Sequence, residues 1–279
     1  MARAKATSFE IIIVGNEILS GSIKDTNSGW LAARLGELGV YLRRITTVRD
    51  DVSEISSAIR EAIRRGAKWV LTSGGLGPTF DDITLEAVAK AVNRKLTVNQ
   101  EAVNMLRARY ERLAAQGVIR DAHLTPVRLK MATMPRGAIA LRNNEGSAPG
   151  CLVRYRGATI VSLPGVPREL MDIFENEVRP RIEKEASRIH RLGVWIKVKG
   201  VPESVYAPEI EKTYKALRKK VYVKSHPMGI QDGLSLTRIE LISEDASRER
   251  AERNLKEAEE QIIQILKEKG AVEISVERR

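Results

Sequence analysis

The sequence predicts an α/β protein, with a three-layer αβα domain around a mostly parallel sheet and a smaller α+β domain of βαββαβ order behind it. Short apolar runs alternate with segments of helical period in the first part of the chain. Beyond about Ser187 the order of the patterns changes. A hydrophobic share of 43% over 279 residues is enough to build full cores. We therefore expect domains at 1–187 and 188–279.

The first elements of the chain alternate between strand and helix. Phe9–Val14 is a continuous apolar run, as in a strand buried inside a parallel sheet. The elements predicted after it are helix Thr26–Leu38, strand Leu42–Val48, helix Ser53–Arg65 with Ser53 or Asp51 as its N-cap, and strand Trp69–Thr72. Strand, helix, strand, helix, strand with short links predicts a parallel sheet covered on both faces.

Residues 84–189 continue the first domain with mixed patterns. The predicted elements are helices Thr84–Val92 and Gln100–Gln116, strands Ala138–Leu141, Cys151–Tyr155 and Thr159–Leu163, and a long helix from Pro167 to about Ile189. Pro180 is expected to interrupt that last helix, because proline removes a backbone donor. Residues 117–134 have only weak periodicity.

The last part of the chain has the order of a ferredoxin-like module. The predicted elements are strand Val194–Lys199, helix Ser204–Lys219, strands Val221–Lys224 and Leu234–Ile242, helix Ala246–Lys269 and strand Val272–Val276. These patterns predict the βαββαβ domain.

Composition excludes several classes of protein. One cysteine, Cys151, allows no intramolecular disulfide or cysteine metal cluster, and the three histidines lack metal-ligand spacing. No apolar run is long enough to span a membrane and no signal-peptide profile is present, so we expect a cytoplasmic protein. The net charge of +11 favours phosphorylated or polyanionic ligands, or else belongs to a solvated, thermophile-type surface.

A glycine-rich loop follows the predicted strand Trp69–Thr72. Gly74, Gly75 and Gly77 occur within four residues, and Pro78 and Thr79 follow them. Ligands of open α/β sheets bind at the carboxyl ends of the strands, where glycines let successive amides approach an anion. The loop fits neither the P-loop nor the GxGxxG pattern. We interpret it as a phosphate-binding turn, the alternative being an ordinary glycine-rich turn.

Carboxylates follow three of the strand ends. Asp81 and Asp82 come directly after the glycine loop, where a cation between them and a phosphate would offset their repulsion. Alternatively, one of them caps the next helix. Glu17 and Asp50 follow the first and second strands at the same sheet edge. We therefore expect an Mg²⁺-like ion, with oxygen ligands from Asp81, Asp82 and Glu17.

Three further loops carry polar or glycine-rich sequence. Asp25 and Thr26 precede the first long helix and are interpreted as cap residues or as site residues beside Asn27. The loop 143–150 links two short strands, and the loop 163–169 is either another anion-binding turn or a rigid connection.

Five motifs in one order resemble a known family. They are Gly15–Leu19 (GNEIL), Asp25–Ser28 (DTNS), Gly74–Thr84 (GGLGPTFDDIT), Gly146–Gly150 (GSAPG) and Leu163–Pro167 (LPGVP). Over about residues 9–185 the chain resembles the N-terminal part of the CinA family, in the molybdopterin-binding superfamily of MogA, MoaB and MoeA. The last domain, including Ser225–Pro227, is similar to the small middle domain of CinA.

This resemblance implies an activity and a set of site residues. It implies a metal-dependent pyrophosphatase acting on ADP-ribose and related dinucleotides, with Mg²⁺, Mn²⁺ or Co²⁺. Asp82, Asp81 and Asp50 are the implied catalytic residues. The implied ligand-binding residues are Gly15, Asn16, Asn27, Gly74, Gly75, Gly77, Pro78, Thr79, Gly146, Pro149, Gly150, Pro164 and Gly165.

Departures from the wider superfamily favour the CinA branch. Asp81 stands where molybdopterin adenylyltransferases usually have arginine, and Leu76 stands where they usually have threonine. The chain, ending at Arg279, is expected to lack the deamidase domain of full-length CinA. The superfamily resemblance also implies a homodimer or homotrimer.

Two other functions stay open from the sequence. The first is binding or adenylylation of molybdopterin in molybdenum cofactor biosynthesis. The second is nucleic-acid binding through the small domain, since residues 186–224 contain ten Lys or Arg and three Glu. Its candidate aromatic platforms are Trp195, Tyr206, Tyr214 and Tyr222.

Overall fold

The computed structural model describes residues 6–217 and 220–278. The chain divides into two compact units, the first Ala6–Ser187 and the second beginning at Arg188. The first unit contains a six-stranded sheet covered by helices on both faces, and the second contains a four-stranded sheet. The α/β class predicted from the sequence is confirmed.

The first unit contains eight strands and eight α-helices among its described residues. Its strands are β1 (Ser8–Val14), β2 (Tyr41–Val48), β3 (Trp69–Ser73), β4 (Leu96–Val98), β5 (Thr133–Pro135), β6 (Ile139–Leu141), β7 (Gly150–Tyr155) and β8 (Ala158–Leu163). Its helices are α1 (Asn16–Leu19), α2 (Asn27–Glu37), α3 (Val52–Arg64), α4 (Thr84–Ala91), α5 (Gln100–Ala115), α6 (Pro126–Lys130), α7 (Pro167–Ile173) and α8 (Arg179–Glu185).

The main sheet has the strand order β2-β1-β3-β8-β7-β6. Strands β2, β1, β3 and β8 run parallel, and β7 and β6 extend the sheet antiparallel. Alternate residues of β1 face opposite cores, with Ile12 and Val14 on one side and Ile11 and Ile13 on the other. The carboxyl ends of four parallel strands therefore meet at one sheet edge.

The second unit has the order β9 (His190–Lys199), α9 (Glu203–Ala216), β10 (Val221–Gln231), β11 (Leu234–Asp245), α10 (Arg248–Glu268) and β12 (Glu273–Arg278). Its sheet has the antiparallel order β10-β11-β9-β12, so the predicted βαββαβ pattern is confirmed. Tyr206 of α9 is fully buried in the core and is no aromatic platform, contrary to prediction. The predicted end of α9 at Lys219 lies outside the described residues.

The structure decides several local details. Of the two cap residues that the sequence offers, Asp51 and not Ser53 caps α3, because Asp51 Oδ1 accepts from the amides of Ser53 (2.8 Å) and Glu54 (2.9 Å). The predicted interruption of the long helix near Pro180 is confirmed, because the helix is divided into α7, a π-helical turn at Phe174–Val178, and α8. The last piece ends at Glu185 rather than near Ile189. The short pieces α1, β4, β5 and α6 give too little periodic sequence to predict. Over the described ranges, no helix has the length and apolarity needed to cross a bilayer.

Candidate functional site

A cavity of about 830 Å³ opens at the carboxyl ends of the parallel strands. Its walls come from the segments that follow β1, β2, β3 and β8, together with part of α5 and the loop before β7. This is where the topology of an open α/β sheet places ligands. The predicted site residues that line it are Glu17, Asn27, Asp50, Gly74, Gly75, Gly77, Pro78, Asp81, Asp82, Gly146, Pro164 and Gly165.

The glycine loop lines this cavity and carries free backbone amides. The Gly74 amide donates to Leu163 O (3.0 Å), which ties the start of the loop to β8. The amides of Gly75, Leu76 and Gly77 donate to no acceptor in the described part of the chain. Three successive unpaired N–H groups beside a cavity form an anion-binding arrangement.

Backbone conformation explains the glycines at 74 and 75. Their φ angles of 110° and 68° lie in the left-handed region. A Cβ at Gly74 would overlap the carbonyl oxygen of Val14, and one at Gly75 would overlap Thr84 Oγ1. Thr84 Oγ1 donates to Gly74 O (2.8 Å) and its amide donates to Gly75 O (3.1 Å). The start of α4 thus holds the loop in shape.

Asp82 and Asp81 both bind Thr79. Asp82 Oδ2 accepts from the Thr79 amide (2.8 Å), and the single hydroxyl proton of Thr79 lies within hydrogen-bonding reach of both Asp82 Oδ2 (2.6 Å) and Asp81 Oδ1. The hydrogen bond from Thr79, the Asp81 backbone amide and the charge of Lys130 together hold the pKa of Asp81 below its ordinary value. No side chain caps α4, whose N-cap residue is Ile83, so the capping alternative for these aspartates is wrong.

The other acidic residues also have local roles. Asp50 Oδ2 accepts from the amide of Asn16 (2.7 Å), which connects the segment after β2 to the start of α1. Asp25 Oδ1 accepts from the Ser28 amide (2.9 Å) in the first turn of α2. Glu17 is exposed at the cavity wall. Asp50 and Glu17 therefore reach the cavity from two separate strand ends.

The carboxylates do not form a ready-made metal cage. Within residues 6–217 and 220–278, no group of three or more His, Cys, Asp or Glu is placed to hold a metal ion. Glu17, Asp50, Asp81 and Asp82 nevertheless line one cavity. Mg²⁺ commonly takes one or two protein carboxylates and completes its shell with phosphate oxygens and water. The donor set fits an ion that arrives with a phosphate ligand.

Five predicted ligand-binding residues do not line the cavity: Gly15, Asn16, Thr79, Pro149 and Gly150. Gly15, Pro149 and Gly150 are buried, and the Gly15 amide donates to Val48 O (3.2 Å). The Asn16 and Thr79 amides are taken by Asp50 and Asp82. These residues support the conformation of the loops but do not line the cavity.

Asn27 joins the glycine loop to the loop after β8. Its Nδ2 donates to Ser73 Oγ (3.0 Å) and to Gly165 O (2.8 Å), which fixes the orientation of the amide. Its Oδ1 is buried and has no partner in the described structure, although the residue lines the cavity. A buried acceptor without a partner is costly, so Asn27 is an exception among the buried polar groups beside the cavity.

Glu169 is a cavity residue that was not predicted as a site residue. It lies in the first turn of α7, and its Oε2 accepts from Asn143 Nδ2 (2.6 Å). Burial raises the pKa of Glu169, against the opposing effects of the Asn143 hydrogen bond and the nearby Arg109. Raised carboxyl pKa values in cavities are typical of functional sites. The sequence signal was its place two residues after the LPGVP motif.

Arg109 and Tyr110 also line the cavity and come from α5. Arg109 Nη2 donates to Glu145 O (2.8 Å), which connects α5 to the loop before β7. Nothing in the periodicity of α5 distinguishes these two residues from the rest of its surface, so only the folded chain identifies them.

Fold and cavity define an open α/β protein with a ligand site at the carboxyl ends of its parallel strands. Residues 10–184 match the family MoCF_biosynth, described as "Probable molybdopterin binding domain". The chain belongs to this family, which confirms the superfamily inferred from its motifs.

Two relatives and one solved structure are similar to this chain. A protein of Pyrobaculum arsenaticum is 41% identical over 265 residues, which are 95% of this chain and 97% of that protein. A protein of Pyrobaculum aerophilum is 43% identical over 257 residues, 92% of this chain and 93% of that one. The structure of "protein CinA with unknown function" from Thermoplasma acidophilum is 36% identical, with a TM-score of 0.57, and the match covers 63% of this chain and 98% of that one. The CinA-like identification is confirmed.

Proposed function

We propose that this protein hydrolyses a nucleotide pyrophosphate such as ADP-ribose, with a divalent cation, Mg²⁺, Mn²⁺ or Co²⁺. The observation that carries the proposal is the row of unpaired amides at Gly75, Leu76 and Gly77 beside a carboxylate-lined cavity. A cavity of about 830 Å³ accommodates a ligand of nucleotide size. The family description supports a phosphorylated ligand, since molybdopterin carries a phosphate.

Backbone amides and basic side chains have different roles in this proposal. The three amides bind oxygens of one phosphate and stabilise charge that develops on it. Lys24 and Arg109 are the basic side chains among the cavity-lining residues, so they offset part of the ligand's charge. Positioning and electrostatic stabilisation account for most of the catalysis in phosphoryl transfer, and no covalent nucleophile is needed.

The cation would be held by Asp82, Asp81, Asp50 and Glu17 together with phosphate oxygens. When bound, it supplies charge neutralisation and a water of lowered pKa. Asp82 Oδ2 is committed to Thr79, so Oδ1 is the oxygen left for a metal ligand. The exposed carboxylates of Asp81 and Glu17 have open access to the same space.

Purified protein incubated with ADP-ribose and each of Mg²⁺, Mn²⁺ and Co²⁺ is expected to release AMP, and EDTA is expected to stop the release. Chromatography of the nucleotides measures it. Glu101→Ala is the control variant, because Glu101 is an exposed residue of α5 that does not line the cavity, and the variant should keep the rate within about twofold. If none of the three metals supports AMP release, the hydrolase proposal is wrong.

A second candidate is binding or adenylylation of molybdopterin. The description of the matched family favours it, and it uses the same phosphate loop. One experiment distinguishes the two candidate functions. Tight binding of molybdopterin without hydrolysis of ADP-ribose supports the molybdopterin function and excludes the pyrophosphatase.

A further inference from the structure

Two oppositely charged side chains of the large cavity are attached to the same short loop. This loop, residues 143–146, precedes β7 and forms hydrogen bonds with Glu169 of α7 and with Arg109 of α5. Both side chains line the cavity. The loop therefore brings a hydrogen-bond acceptor and a hydrogen-bond donor together at one place in the cavity wall.

Asn143 holds the carboxylate of Glu169 in place. Asn143 Nδ2 donates to Glu169 Oε2 (2.6 Å) and to Ala148 O (2.8 Å). Asn143 Oδ1 accepts from the amides of Gly146 (2.7 Å) and Glu145 (3.2 Å), so the side-chain amide cannot turn over without losing all four bonds. A Cβ at Gly146 would overlap the Glu169 carboxyl group, so the loop packs closely against it. Oε2 is thus the oxygen that the protein uses.

The other carboxylate oxygen, Glu169 Oε1, is open to a ligand. It accepts no hydrogen bond from residues 6–217 or 220–278, and it retains accessible surface. The side chain is half-buried and belongs to the cavity wall. An ionised carboxylate oxygen only accepts hydrogen bonds, so Oε1 suits a ligand N–H or O–H group.

Arg109 supplies the donor beside this acceptor. Its Nη2 donates to Glu145 O (2.8 Å), which attaches the guanidinium to the loop. Its Nε is buried, whereas its Nη1 keeps accessible surface and has no acceptor in the described part of the chain. Because the guanidinium is planar, the bond at Nη2 also restricts the direction of Nη1. Nη1 therefore suits a ligand acceptor.

Arg109 and Glu169 do not satisfy each other. Over the residues that the structure describes they form no ion pair. Burial raises the pKa of Glu169, while the Asn143 hydrogen bond and the charge of Arg109 lower it, so Arg109 lies near enough to act on the carboxylate through space. Since the loop holds both side chains, the space between them suits a flat group that carries a donor and an acceptor side by side.

The geometry points to a base-binding subsite, in which Glu169 Oε1 accepts from the exocyclic amino group of an adenine and Arg109 Nη1 donates to the adjacent ring nitrogen, N1. Paired donor and acceptor contacts of this kind distinguish one base edge from another. This inference rests on the proposed nucleotide ligand, whose phosphate binds the glycine loop, and it adds the part of the ligand that determines specificity.

AMP and two analogues test the subsite by calorimetry with Mg²⁺ present, because none of them has a pyrophosphate bond to hydrolyse. Purine riboside 5′-monophosphate lacks the amino group, and 1-deaza-AMP has a carbon in place of N1. We expect the unaltered protein to bind each analogue about 10- to 100-fold more weakly than AMP, since each loses a hydrogen bond to a charged partner.

Glu169→Gln should remove one of these differences and keep the other. Because Asn143 Nδ2 needs an acceptor, the Gln oxygen would face Asn143 and its NH₂ would face the ligand. The preference for AMP over purine riboside 5′-monophosphate should then fall below about threefold, while the preference over 1-deaza-AMP stays. Glu101→Gln, an exposed change in α5 away from the cavity, should leave both preferences unchanged.

Equal binding of AMP and either analogue by the unaltered protein, or binding of none of the three, overturns the subsite whatever the variants do. A Glu169→Gln protein that keeps the full preference for the amino group, or weakens all three ligands equally, also overturns it. If both preferences are found but ADP-ribose is not hydrolysed with any metal, the subsite stands and the hydrolase proposal fails. Hydrolysis without either preference has the opposite meaning.

Discussion

At the scale of single residues, the carboxylate of Asp82 combines two tasks that a sequence pattern does not separate. One oxygen lies within hydrogen-bonding distance of the amide and hydroxyl of Thr79, and this contact stabilises the end of the glycine loop. The other oxygen is free to reach the cavity that Asp82 lines. Since Asn keeps an acceptor oxygen but not the charge, substitution can separate loop closure from metal binding.

Asp82→Asn and Asp82→Ala are both expected to lower the turnover of ADP-ribose by roughly 10²-fold or more, because both remove a charged cation ligand. Only Asp82→Ala should also lower the free energy of unfolding, by about 1 kcal/mol, since it leaves the Thr79 amide without its acceptor. Steady-state rates across a metal titration and urea unfolding measure the two effects. Wild-type turnover in Asp82→Asn would show that Asp82 has only the loop role.

At the scale of secondary-structure elements, the helix ends show how small sequence differences decide local structure. Ser53 and Asp51 are both good N-cap residues, and they stand only two positions apart. The structure uses Asp51, which accepts from two amides of the first turn of α3, while Ser53 Oγ accepts from Lys90 Nζ (2.9 Å). A proline near the middle of the last helix of the first unit is accommodated by a π-helical turn.

Asp51→Ala should lower the free energy of unfolding by about 1 kcal/mol, because two amides of α3 lose their acceptor. Ser53→Ala is the matched control and should stay within about 0.5 kcal/mol, since it removes only a surface contact. Urea unfolding followed by circular dichroism makes the comparison. A larger loss for Ser53→Ala than for Asp51→Ala would contradict the assigned cap.

At the scale of the whole molecule, the chain builds separate cores for two units. The first unit has one core on each face of its main sheet, and the second has its own core around Ile196, Tyr206 and Ile262. Every residue that lines the large cavity belongs to the first unit. Binding of the proposed ligand is therefore a property of the first unit's loops.

Ile262→Ala in the second unit should cost roughly 2–5 kcal/mol of that unit's stability, because it leaves a cavity in a fully buried core. ADP-ribose turnover below the thermal transition should stay within about twofold. Ile59→Ala, an equally buried change in the first unit, should lower the temperature at which activity is lost. Calorimetry and activity at several temperatures provide the measurements, and loss of turnover in folded Ile262→Ala would contradict the division of roles.

The sequence by itself determined the fold class, the order of the elements in the six-stranded and four-stranded sheets and the place of the glycine loop, because these depend on local periodicity and on where glycine is tolerated. The five motifs also identified the family. The tertiary structure alone decided which polar groups remain free. The hydrogen bonds of Asn27 to Gly165, of Arg109 to Glu145 and of Asn143 to Glu169 form only when the chain folds. Whether an acceptor is satisfied depends on partners far away in sequence, and no local pattern records them.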